Sequence, residues 1–269
     1  MHIGICRLCN EERELTFEHV PPRSAFNNDR VQLQVLGLVE GEGIVARPGA
    51  FQQRGAGNYY LCAECNNLLG RLYVPAYQQF VGLCARGLFE AGASVDLNEN
   101  NGYNTFHLWM EGGEDPLVLY PARIVKQALA MLLCIAAPRF AAKRPDLRGL
   151  ISDPDAVGLP EDIRVGFCFF LGNQTRSGGP WGQLNTDDGT SLVAVEMAFP
   201  PMAWLLALSG TELPTQLADA TDWVSFPYDY KYTALEIDTV VGFANTQLPG
   251  DYRTAAQLRE HLAQQDDGV

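Results

Sequence analysis

No apolar run approaches the roughly 18 residues a membrane-spanning helix needs, and no basic start precedes an apolar stretch as in a signal peptide. The expectation is a soluble, cytoplasmic chain. Internal repeats, coiled-coil heptads, a Walker loop and a dinucleotide fingerprint are also missing, which removes solenoids and the common nucleotide-binding folds. Lysine is absent from residues 1–90, which carry eight arginines and nine acids for a net −1; residues 91–269, with 11 basic and 23 acidic side chains, hold −12 of the total −13. So large a negative excess excludes a surface that grips nucleic acid throughout, because phosphate neutralisation by Lys and Arg supplies most nonspecific affinity. It leaves the near-neutral, all-arginine first third open to such a role. Arg presents a planar fork that suits phosphate better than Lys does. Arg23, Arg54 and Arg71 are therefore candidate nucleic-acid contacts, with ordinary solvated arginines the competing reading.

What the chain does have is cysteine in two short pairs, Cys6-x-x-Cys9 and Cys62-x-x-Cys65. Two C-x2-C knuckles supply four thiolates, the set that a tetrahedral structural zinc prefers, at a spacing that lets both sulfurs of a pair reach one ion. The 52 residues between Cys9 and Cys62 exceed those of a simple zinc ribbon. Closing a loop about three times longer adds only about 1 kcal/mol of chain entropy, against roughly 10–16 kcal/mol for structural zinc binding. The other cysteines, Cys84, Cys134 and Cys168, are odd in number and sit in apolar segments, so reduced core thiols are expected rather than disulfides.

Between the pairs lies Leu15-Thr16-Phe17-Glu18-His19-Val20-Pro21, and the second pair is preceded by Asn58-Tyr59-Tyr60-Leu61 and followed by Asn66. In these residues the chain resembles the HNH, or His-Me finger, nucleases, specifically their zinc-stapled branch, over about its first 70 to 90 residues. The resemblance implies a ββα-metal finger in which His19 is the general base and Glu18 and Asn66 hold one Mg2+ or Mn2+. Asn58 would pin the loop carrying His19, and Zn2+ on Cys6, Cys9, Cys62 and Cys65 would stay out of the chemistry. A neutral imidazole can take a proton from water at cellular pH, and a hard divalent ion on oxygen ligands can neutralise a phosphate. The implied activity is metal-dependent hydrolysis of nucleic-acid phosphodiesters, DNA most of all. The alternative is a zinc-stabilised binding or scaffold protein with a dead finger, favoured by the acidic C-terminal part and by Glu18 where the family more often carries Asp. In either case the acidic part can recruit a protein partner or a second copy.

Adjacent strand residues point to opposite faces, so Glu18 and His19 share a site only at a strand end or distortion. Pro21-Pro22 predicts that pairing stops at about His19. The fold class read from the chain is α+β, with a finger domain and its following helix at 1–92 and a second α+β domain at 103–269. Val31 to Val35 alternates as a strand and turns at 40–43 into Ile44-Val45, and Gln52 to Gly57 reads as a flexible approach to the site. Helices are predicted from close to Cys62 and from about Pro75. Further on, Phe106–Trp109 and Leu117–Tyr120 read as paired strands across Gly112-Gly113, and 121–137 as a mostly apolar helix with Arg123, Lys126 and Gln127 as its polar edge. Residues 163–171 and 192–199 read as central strands with Glu196 edge-exposed or buried with a partner, 172–189 as a surface loop, 235–243 as a strand, and 254–262 as a capped helix. His2, His107 and His261 carry no site expectation.

Overall fold

The structure is a computed structural model that describes residues 1–39, 43–90, 105–111, 118–170, 175–184, 191–214 and 217–242. It is a mixed α+β fold with five α-helices among those residues. Strand β1 (Ile3–Ile5) and β2 (Glu12–His19) form a hairpin whose loop is the first cysteine knuckle. Strands β3 (Val31–Val39) and β4 (Gly43–Gln52) follow as a separate two-stranded hairpin, in the place the alternation predicted. β5 (Gly57–Cys62) then returns to pair antiparallel with β2, giving the sheet order β1-β2-β5. Helix α1 (Ala63–Leu72) starts directly from β5, and α2 (Val74–Glu90) turns away after Tyr73.

The remainder builds one larger sheet around one helix. β6 (Thr105–Glu111) is followed by α3 (Pro121–Ile135), short helices α4 (Pro138–Lys143) and α5 (Pro145–Ser152), and β7 (Arg164–Phe170). β8 (Arg176–Leu184), β9 (Ser191–Phe199), β10 (Met202–Leu208), the two-residue β11 (Ala218–Asp219) and β12 (Ala234–Gly242) complete it. The order is β6-β12-β7-β10-β9-β8, with β11 also on β7 and only β12–β7 parallel. Residues 163–171 and 192–199 are thus central strands, as their unbroken apolarity predicts.

Four expectations are corrected. Of the expected strand 117–120, the described residues 118–120 do not pair with β6; β6 pairs with β12, while Leu119 exchanges two backbone hydrogen bonds of 2.9 Å with Tyr232. Alternation identifies a strand but carries no information on its partner. Within the expected 172–189 loop, β8 forms a sheet edge, where Pro180 is tolerated, and its register slips between Gly178 and Trp181. A Cβ on Gly179 would lie 2.7 Å from the Ala194 carbonyl oxygen, so glycine there permits close strand approach rather than a loop. Glu196 is buried, in register between Leu205 and Gly178. Lys126 and Gln127 are likewise buried, leaving only Arg123 of the expected polar edge partly exposed.

The two expected domains share their interior, since one buried cluster runs from Cys6 and Leu61 through Phe80 and Leu129 to Trp204 and Ile237. Phe80 of α2 meets Phe167 of β7 edge-on at 5.7 Å and Trp223 at 5.7 Å, and Phe167 lies 5.0 Å from Trp204. Such pairs contribute about 0.5–1.5 kcal/mol each beyond their buried area. The Tyr73 hydroxyl donates to the Ile151 carbonyl at 2.8 Å and that of Tyr228 to Leu72 at 3.1 Å, fixing the α1–α2 corner to the rest. The expected boundary near residues 98–104, the Gly112-Gly113 turn and the 254–262 helix lie outside the described residues. Among the described residues no helix is long and apolar enough to cross a membrane.

Lys126 is fully satisfied where it is buried. Its Nζ donates to the carbonyls of Asp153, Pro154 and Ala156 at 2.7, 3.0 and 2.7 Å, closing the loop after α5. Burial lowers its pKa to about 8, with Asp153 and Asp155 opposing. The unfolded chain therefore holds the extra proton between about pH 8 and the ordinary lysine value of 10.5, so this group makes stability rise with pH across that window. Lys126→Met should flatten that rise and cost about 2–4 kcal/mol by stranding three buried carbonyls, as read from denaturant unfolding at a series of pH values.

Candidate metal centre and neighbouring polar site

The four sequence-predicted ligands converge. Cys6 and Cys9 lie on the loop of the β1–β2 hairpin, where Asn10 adopts φ 61° and its N–H donates to the Cys6 carbonyl at 2.9 Å to tighten the turn. Cys62 closes β5 and caps α1, and Cys65 sits in the first helical turn. The hairpin loop is joined to β5 by the Arg7 N–H, which donates to the Tyr60 carbonyl at 3.0 Å. All four Sγ atoms lie within 4.8 Å of one another. A tetrahedron of sulfurs about 2.3 Å from zinc has edges of about 3.8 Å, so the donor set fits one ion with little movement. The cluster is close enough to hold a metal ion and is consistent with structural zinc.

Its electrostatics favour thiolate at Cys6 and oppose it at Cys9 and Cys65. The Cys65 thiol, together with backbone N–H groups of Cys62, Cys9 and Leu8, pulls Cys6 down to about 4, against burial. The Cys62 N–H donates to Cys6 Sγ at 3.4 Å, and the positive end of the α1 dipole lies at the same place. Cys65 is pushed up in return, by donating to Cys6. A divalent cation would replace that shared proton and let every sulfur ionise.

Beside this cluster the residues divide by strand face. Thr16 and Glu18 point from β2 toward α1, where Asn66 Nδ2 donates to Thr16 Oγ1 at 3.0 Å and Asn66 also hydrogen-bonds the Glu18 carboxylate. Thr16 Oγ1 in turn donates to the Leu61 carbonyl at 3.0 Å. With the Asn66 amide nitrogen engaged, its Oδ1 is the atom left for a cation. Burial raises Glu18 to about 7, Asn66 only partly opposing, so this carboxylate lacks an offsetting positive charge. One carboxylate oxygen and one amide oxygen meet the chemistry of a hard divalent ion.

Phe17 and His19 occupy the other face, their rings 5.0 Å apart, with Tyr59 5.6 Å from Phe17 and His2 stacked on Tyr59 at 3.5 Å. Glu18 and His19 are thus on opposite sides of β2 at its last two residues, and regular pairing ends at His19 as Pro21-Pro22 predicts. The pairing slips at Thr16/Phe17, where Tyr60 is the extra residue of β5. His19 Nε2 lies 2.9 Å from the Arg54 carbonyl oxygen. A carbonyl only accepts, so Nε2 carries the hydrogen and Nδ1 holds the free lone pair of the neutral ring. Burial keeps the ring below its ordinary pKa, Arg54 opposing and Arg23 adding to the effect, so that lone pair is available at neutral pH.

Asn58 stands opposite Glu18 in β5, and its Oδ1 accepts from the Tyr59 N–H at 2.8 Å. The loop pin expected of it is made by Asn27, which sequence reading passed over. Asn27 is completely buried; its Nδ2 donates to the Pro21 and Ala56 carbonyls at 2.6 and 2.7 Å, and its Oδ1 accepts from the Ala56 N–H at 2.6 Å. Gly55 and Gly57 serve this packing rather than a flexible approach. Gly55 has φ 95° and a Cβ there would lie 2.2 Å from the Asn27 carbonyl oxygen, while one on Gly57 would lie 2.2 Å from that of Glu18. The signal for Asn27 was the Asn27-Asn28-Asp29 run after two prolines, a turn composition. Arg23 and Arg54 are exposed near His19; Arg71 is exposed on α1, about 7 Å along the axis from Asn66.

Nothing among protein families, curated proteins or solved structures matches the chain.

Two outcomes test this site. Purified protein should carry one zinc per chain by elemental analysis, and Cys65→Ser should lose that metal and melt earlier. Asn27→Ala should instead retain zinc while losing about 2–4 kcal/mol of stability, because three hydrogen bonds around the His19 loop go unmade.

Proposed function

We propose that residues 1–90 form an HNH-like, zinc-stapled finger that hydrolyses nucleic-acid phosphodiesters, DNA being the favoured substrate. The observation that carries this reading is the pairing of Glu18 with Asn66 between β2 and α1, directly beside the four-cysteine cluster, at the strand end that also bears His19 with Nε2 tied to a carbonyl. His19 Nδ1 would take a proton from the attacking water. Glu18 and Asn66 would hold Mg2+ or Mn2+, which when bound would neutralise the phosphate and the leaving 3′ oxygen. Arg23 and Arg54 would meet flanking phosphates on the His19 side. The cysteine-bound zinc would serve structure alone.

A second reading, a zinc-stabilised binding or scaffold protein with a dead finger, draws support from strand alternation. Glu18 and His19 leave β2 in opposite directions, and one phosphate must reach both. The acidic residues 91–269 would then recruit a protein partner or a second copy.

Nicking of supercoiled plasmid separates the two. Zinc-loaded wild type should nick with Mg2+ or Mn2+. His19→Ala and Asn66→Ala should each lose at least about 100-fold in rate, the lower end for a positioned acid–base group, with melting temperature and zinc content retained. Absence of nicking by wild type on single-stranded, duplex and branched DNA and on RNA favours the scaffold reading.

A further inference from the structure

The loop between β2 and β3 contains a residue that neither the metal centre nor the proposed hydrolysis uses. Ala25 and Asn27 are buried at 2% and 0% exposure, whereas Phe26 between them is 52% exposed. Phe26 also adopts φ 70°, a left-handed conformation that a bulky aromatic residue rarely takes. Phe26 is the left-handed residue that ends the turn at Arg23–Ala25, a place more often given to Gly or Asn, and with its neighbours locked inside the ring is turned outward. Backbone strain of this kind clusters at binding and active sites.

A second exposed ring belongs to the segment that this loop is hydrogen-bonded to. Phe51, at the end of β4, is 49% exposed and has the Arg30 guanidinium stacked 3.8 Å above its centroid. The two segments are laced together, because Asn27 donates to Ala56, the Gly55 N–H donates to the Asp29 carbonyl at 2.9 Å, and His19 is tied to Arg54. Among the described residues 23–39 and 43–57, Arg23, Arg30 and Arg54 are exposed and Asp29 is the one acid, in a chain whose net charge is −13. Exposed aromatic faces among arginines form the surface that binds unpaired nucleotides, with bases on rings and phosphates on guanidinium groups. A protein partner would also use aromatic and Arg anchors, but the local positive excess favours a polyanion.

We infer that Phe26 and the Arg30-backed Phe51 form a base-stacking platform for single-stranded or unstacked nucleic acid beside His19. The proposal rests on the nuclease reading for the identity of the polymer, and it names unpaired nucleotides as the substrate class. Duplex bases are already stacked on one another and offer such rings no face, so the platform discriminates between strand states.

The test is fluorescence anisotropy of the full zinc-loaded chain carrying His19→Ala, in Ca2+, with a labelled single-stranded oligonucleotide and the same sequence as blunt duplex. The parent should bind the single strand more tightly. Phe26→Ala should weaken that binding about tenfold, within the range for one stacked base, and leave duplex binding unchanged. Phe26→Trp should retain it, and Arg30→Ala should lower the salt dependence by about one phosphate contact. The ring is half exposed and Ala keeps the same Cβ at φ 70°, so Phe26→Ala should melt close to its parent. Equal affinity for duplex, an unchanged Phe26→Ala, equal losses in Phe26→Ala and Phe26→Trp, or no binding of the single strand would each overturn the platform. Plasmid nicking is read separately, so a stacking platform on an inactive finger, or an active finger without one, is distinguished from joint failure.

Discussion

The convergence of four sulfurs on one point is the constraint from which the first third of the chain takes its shape. A hairpin loop and a helix start, far apart in sequence, can face each other only if something holds them. Closing the intervening loop costs a few kcal/mol of chain entropy, and structural zinc returns several times that. Once the Cys6–Cys9 loop meets the Cys62–Cys65 turn, β2 must lie against β5, and the first turn of α1 must face Thr16 and Glu18. The pairing of Asn66 with Thr16 and Glu18 beside the cluster therefore follows from the convergence of the two cysteine pairs.

The four-cysteine cluster is not all that holds the first third of the chain in place. α3 is buried over almost its whole circumference and packs against α1 and α2 on one side and the larger sheet on the other. Its Cys134 is buried close enough to Glu18 and Cys6 for their charges to raise its pKa further, beyond what burial does. The polar site thus backs onto the C-terminal core, with Phe80, Phe167, Trp204 and Trp223 as the joint. The described part of the chain after residue 104 is thus the wall against which the first third is built.

Legibility followed the type of information each residue carries. Spacing and period are local, and they located the four cysteines, the β3–β4 hairpin, α1 to α3, and the central strands β7 and β9. Partners and burial are not local. Lys126 reads as a surface charge until the carbonyls of Asp153, Pro154 and Ala156 gather round it, and those are backbone atoms no pattern displays. Glu196 reads as an edge residue until β8 covers its strand, and β8 was hidden because Gly178, Gly179 and Pro180 spell a turn in most settings. Asn27 was missed for a related reason: its function lies entirely in contacts with Pro21 and Ala56, one of them 29 residues away. Glu18, His19 and Asn66 were legible because ionisable and amide groups beside a metal-ligand pattern are conspicuous; the division between the two faces of β2 was visible only as an alternation whose resolution needed coordinates.

Under the nuclease reading, that division sets the geometry a substrate would have to satisfy. On the α1 side stand Glu18 and Asn66, rich in oxygen and short of positive charge; on the loop side stand His19, Arg23 and Arg54, with a free imidazole lone pair and two guanidinium groups. A phosphate held at the middle of β2 could reach only one of these groups, because a sheet separates them. At the end of β2 the separation lapses, since regular pairing stops at His19 and the chain bends into the turn at Arg23–Ala25. Under the nuclease reading the scissile phosphate sits astride that end, drawing its countercharge from the helix side and its base from the loop side. The strand on the loop side then runs past Arg54 toward Phe26 and Phe51.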